Sequence, residues 1–172
     1  MKSGLLLVLM AFSGGMFAQA PRNKIIERRD PALAVTFFTP QKTHAVRIRQ
    51  LLVFTTLRLT PIVAQGFNET ELILKMHITS TSENGEFSFT SVIITADGKN
   101  AAVLDQVQWD ASETAAIGDP NLIRLLGHSK EVYITIPVPD FHPPFNRMSF
   151  KLSPDQLADC RMMAEKYDAL KQ

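Results

Sequence analysis

Cysteine is nearly absent from the 172-residue chain, with Cys160 the single one, so no disulfide can form within the molecule and a packed core must hold the fold. Long apolar runs are confined to the N-terminus, and no later run reaches the roughly 18 to 20 residues of a membrane span. Several site motifs are missing as well. The chain contains no Gly-x-Ser-x-Gly, His-Glu-x-x-His, Gly-x-x-x-x-Gly-Lys, Cys-x-x-Cys or Gly-x-Gly-x-x-Gly, and with them go the usual signals of an acyl-transfer elbow, a zinc protease, a phosphate cradle, a redox pair and a dinucleotide site. His44, His77, His128 and His142 are scattered, and none has a second ligand type at a spacing that fixes a metal. No catalytic residue, metal or cofactor is expected.

The N-terminus has a different design. Lys2, the apolar run 5–12 and the small residues around Ala18-Gln19-Ala20 have the layout of a secretory signal peptide. Cleavage is expected after residue 18, with residue 20 as the competitor, because Pro21 would sit unfavourably just past the later cut. Residues 1–18 are thus read as signal peptide, 19–32 as a polar N-terminal arm, and 33–172 as one globular β-rich domain that is periplasmic or secreted.

Removing the signal takes away only Lys2 and leaves equal numbers of basic and acidic side chains, a net charge of zero. That balance argues against a general nucleic-acid binder. The charge is nevertheless divided, because residues 21–60 hold Arg22, Lys24, Arg28, Arg29, Lys42, Arg47, Arg49 and Arg58 against Glu27 and Asp30 alone. Two readings follow: the basic and acidic parts neutralise each other within one fold, or a basic face meets an anionic component of the envelope.

Periodicity gives the fold class as α+β, mainly antiparallel sheet. A meander is expected over 71–109: one strand at 71–78, an Asn84-Gly85 turn, a second strand at 87–95, an Asp97-Gly98 turn, and a third at 101–109. Shorter strands are expected at 33–38, 131–137 and 147–152. The ambiguous stretch 43–59 is read as strand, ended by Pro61. Residues 110–118 read as loop, and Asn68-Glu69-Thr70 in the 66–70 loop matches a glycosylation sequon. Two helices are expected. The first spans 119–126, with Asp119 as N-cap, Pro120 in the first turn and Gly127 as its stop. The second is amphipathic and spans 153–171, opened by the capping box Ser153-Pro154-Asp155-Gln156, and it should pack on the sheet through Leu157, Cys160, Met163, Ala164, Tyr167 and Leu170, with Asp159 outside that face.

Two weak constellations carry polar chemistry. His128-Ser129-Lys130-Glu131 straddles a helix end, where a histidine suits the dipole. Asp140-Phe141-His142 lies in a proline-rich segment, 137–145, that could display Phe141, His142 and Phe145 in extended form. Asp140, Phe141, His142 and Phe145 are therefore the candidate binding residues. The expected function is an exported, non-catalytic binding or accessory module of the bacterial envelope, whose partner is an envelope protein or other envelope component and not a nucleic acid. Its competitors are a hydrolase or metal-dependent enzyme built on Asp140 and His142, and a self-associating structural protomer.

Overall fold

The computed structural model describes residues 24–50, 53–81, 91–138 and 146–172. Alternating apolar and polar positions set the strands β1 (Ile25–Asp30), β2 (Val35–Pro40), β3 (Ala45–Gln50), β4 (Val53–Gln65), β5 (Thr70–Ser80), β6 (Ser91–Ala96), β7 (Lys99–Asp105) and β8 (Thr114–Ile117). Helix α1 (Pro120–His128) follows, then β9 (Val132–Pro137), β10 (Arg147–Lys151) and helix α2 (Pro154–Leu170). The strands form two antiparallel sheets. The larger runs β1-β2-β4-β5-β8 with β3 also paired to β4, and the smaller runs β10-β9-β6-β7. The class is α+β, and one cluster of buried side chains joins the inner faces of both sheets to the helices.

The meander expected over 71–109 is divided between the sheets. β6 and β7 pair across the Asp97-Gly98 turn, where φ is +49° at Asp97 and +77° at Gly98, the left-handed pair that a two-residue hairpin loop needs. β5 does not pair with β6, because one of its edges is taken by β4 over residues 70–80 and the other by β8. The Asn84-Gly85 turn and the first residues of the expected 87–95 strand lie outside the described residues. β7 ends four residues before Trp109, since Gln106 turns to φ +57° and breaks the extended run.

Other boundaries move for local reasons. Within the expected arm, residues 25–30 form β1, paired along its whole length with β2. Its charged centre, Glu27-Arg28-Arg29, suits an edge strand as well as it suits a loop. The stretch 43–59 is strand, divided into β3 and β4, and Pro61 lies inside β4 instead of ending it. β3 covers β4 up to Arg58 and β2 covers it only from Val63, so Pro61 falls between the two partners, where a missing N–H leaves no ladder bond open. Residues 114–117, expected as loop, add β8 to the free edge of β5.

Both helix starts follow the sequence. Asp119 accepts from the N–H groups of Asn121 and Leu122. In the Ser153 box, the hydroxyl accepts from Gln156 N–H while the Gln156 side chain accepts from Ser153 N–H. α2 packs on β2, β4 and β5 and lies against α1. Two expectations fail. Gly127 does not stop α1: it is buried within the helix, and a Cβ placed there would lie 2.6 Å from the Arg161 nitrogen and 2.7 Å from its Cα on α2. Asp159 is not outside the packed face but 1% exposed, because the β2–β3 connection folds over the start of α2 and brings His44 alongside.

Candidate functional site

The register of β3, β4 and β5 places a row of basic side chains on the outer face of the larger sheet. Cross-strand partners share a face. Leu57, Leu59 and Val63 point into the core from β4, so Thr56, Arg58, Thr60 and Ile62 point out. Arg49 lies opposite Phe54, Arg47 opposite Thr56, Arg58 opposite both Ala45 and His77, and Lys75 opposite Thr60. The sequence Arg49, Arg47, Arg58, His77, Lys75 therefore steps diagonally across three strands, advancing one outward position of β4 at nearly every step. From the strand rise of about 3.4 Å and the strand spacing of about 4.8 Å, its ends are about 22 Å apart, with neighbours about 5–8 Å apart.

Order at one end of the row comes from an aromatic ring. The Arg47 guanidinium carbon lies 4.1 Å from the Phe54 ring centroid and that of Arg49 5.5 Å from it, so one aromatic ring attracts both cations. At the other end, Lys75 joins Ile62, Ile73, Gln108, Trp109, Asp110, Thr114 and Ala116 around an open basin of about 580 Å³. Asp110 is the acidic member of that basin. Its Oδ1 accepts from the Ser112 hydroxyl and from the N–H groups of Ser112 and Thr114, and the Ser112 hydroxyl, ahead of the Thr114 N–H, holds its carboxyl below the usual range.

This arrangement bears on whether the basic and acidic parts of the chain neutralise each other. The ion pairs Arg124–Asp168 and Lys151–Glu131 join residues of the later, acidic part to one another. Among the described residues, Arg47, Arg58 and Lys75 have no carboxylate within ion-pair distance. The basic segment is thus not paired with the acidic part at Arg47 and Arg58. Alternation at Arg47 and Arg49 was visible in the sequence; the contribution of Arg58, His77 and Lys75 required the register.

The candidates Asp140, Phe141, His142 and Phe145 lie outside the described residues. Their flanks are fixed: Val138 N–H donates to the Asn146 carbonyl at 2.8 Å, and Pro137 and Arg147 are opposite one another in the β9–β10 ladder. Gln50, at the end of β3, donates from its side chain to the Arg147 carbonyl at 2.7 Å. The Arg147 end of the β9–β10 ladder accordingly stands next to the Arg49 end of the row.

The other polar groups have structural partners. His128 Nδ1 lies 2.8 Å from the Arg124 carbonyl, and Glu131 is bound by Lys151 and the Tyr133 hydroxyl, so His128 and Glu131 do not form the pair their proximity in sequence suggested. No pattern in the sequence pointed to His44, whose ring nitrogens lie 3.8 Å from Asp155 and 3.9 Å from Asp159. Both separations exceed a hydrogen bond. The Gln156 side chain donates to the His44 carbonyl, which fastens the β2–β3 connection to the head of α2. Among the described residues no group of three His, Cys, Asp or Glu side chains could hold a metal ion, and no helix is long and apolar enough to cross a membrane.

Cys160 is fully buried, and burial, with a smaller contribution from Asp159, pushes its thiol up from 9.0 to about 12. The folded state therefore keeps the thiol protonated, a contribution to stability that is complete below pH 9 and is lost as the pH rises toward 12. Alkylation at pH 8 should be slow in the native protein and fast in denaturant. Stoichiometric native labelling would place Cys160 at the surface.

Comparison with protein-family models, with curated proteins and with solved structures gives no match.

Proposed function

We propose that this chain is an exported, non-catalytic binding module that engages an anionic component of the bacterial envelope through the outer face of its larger sheet. One observation supports the reading above the others: among the described residues, Arg47 and Arg58 stand on that face with no carboxylate within ion-pair distance, and Lys75 continues the row beside the Asp110 carboxylate. Cations gathered on one face raise the local concentration of anionic ligands even when the net charge is zero. Catalysis gains no comparable support, because Asp140 and His142 lie outside the described residues and Cys160 is a buried, protonated thiol.

The test uses the absence of net charge. The mature chain should be retained on a sulfonate cation-exchange resin at neutral pH and released by moderate salt, since screening weakens such contacts as the Debye length falls to about 8 Å. Changing Arg47 and Arg58 together to Glu should abolish retention while leaving the melting temperature nearly unaltered, because both side chains are exposed. Flow-through of the parent protein would overturn the reading.

A further inference from the structure

The row and the basin together define a linear ligand. We infer that the outer face of the larger sheet binds an anionic polysaccharide, its charged groups lying along Arg49, Arg47, Arg58 and Lys75 and one sugar unit seated against Trp109. The inference rests on the anionic-ligand reading above and narrows it. A compact anion would be served by cations converging on one point, whereas these are strung out over about 22 Å at intervals that suit a repeating chain.

The basin chooses among repeating chains. Its walls combine apolar surface (Ile62, Ile73, Trp109) with the amide of Gln108 and the carboxylate of Asp110 beside Lys75. A polymer made only of phosphates would meet a charged carboxylate there and gain nothing from the apolar walls. A sugar unit offers an apolar ring face to the indole, hydroxyl donors to Asp110, and hydroxyl acceptors and donors to Gln108. The basin continues the same diagonal, because Ile62 and Ile73 are opposite one another one outward step beyond Thr60 and Lys75.

Trp109 is the chain's single tryptophan, so its fluorescence reports binding at the basin directly. Titration with sulfated oligosaccharides of increasing length should shift the emission, with affinity rising until the ligand spans the row and levelling thereafter. Lys75→Ala should weaken binding at least threefold without altering the melting curve, and Trp109→Phe, followed by calorimetry, should weaken the polysaccharide but leave inorganic polyphosphate unaffected. Polyphosphate binding as tightly as a polysaccharide of equal charge, or affinity independent of length, would overturn the inference. Binding to anionic phosphatidylglycerol vesicles alone would also overturn it while leaving the anionic-ligand reading intact. Failure to bind the resin, the vesicles and the polysaccharide would end both. Should Trp109→Phe lower the melting temperature, the length series and Lys75→Ala still decide.

Discussion

Gly127→Ala is expected to destabilise the protein, although the same change in most helix interiors is favourable. Replacing glycine by alanine within a helix gains about 1 kcal/mol from propensity. Here the new methyl would lie 2.6 and 2.7 Å from the backbone nitrogen and Cα of Arg161, and a backbone cannot rotate away as a side chain can. The helices would have to separate, weakening the 2.8 Å bond from Arg161 Nε to the Gly127 carbonyl. Overpacking of this kind costs about 3 kcal/mol or more, so the propensity gain is outweighed and a net loss of about 2 kcal/mol remains. The melting temperature should fall by roughly 4–8 °C for a domain of this size. An unchanged or raised melting temperature would show that α1 and α2 are not in contact at this point.

A larger loss is expected at Phe150, and the chain supplies its own control. Phe150 is fully buried on β10, an edge strand of the smaller sheet opposite Ile134 of β9, and Phe67 is 96% exposed in the β4–β5 connection. Phe150→Ala removes the same atoms as Phe67→Ala, yet should cost about 3–5 kcal/mol through lost burial and the cavity left behind. Phe67→Ala should stay within about 0.5 kcal/mol of the parent. Urea midpoints measure both. Equal midpoints would mean that the smaller sheet does not share the core.

Features legible in the sequence were those written in a few adjacent residues. Ser153 and Gln156 satisfy each other across one helical turn, Asp119 caps its own helix, and Asp97-Gly98 carries the conformation of its turn, so each could be read without knowing what lies beside it. Pairing partners could not. Ile73 and Val92 belong to strands of similar pattern, and nothing within either strand says that they enter different sheets. Thr114-Ala115-Ala116-Ile117 is too short and small to announce a strand, and becomes one only because β5 has an open edge. Asp159 looked solvated because charge is a statistical guide to exposure, whereas its burial is set by His44 and Gln156 at the head of α2. The candidate site shows the same division: Arg47 and Arg49 alternate visibly, but joining them to Arg58 and Lys75 depends on which residues lie opposite one another.

Pro61 gives β4 two separate partners along one edge. Upstream of it the strand holds β3, which is tied to the smaller sheet through Gln50 and Arg147; downstream it holds β2, which carries β1 and packs on α2. The alignment of Arg49, Arg47, Arg58, His77 and Lys75 is fixed entirely by the ladders β3–β4 and β4–β5. The N-terminal hairpin therefore takes no part in setting the row: fraying, shortening or replacing β1 and the end of β2 would leave the register, and so the spacing, of those five side chains unchanged.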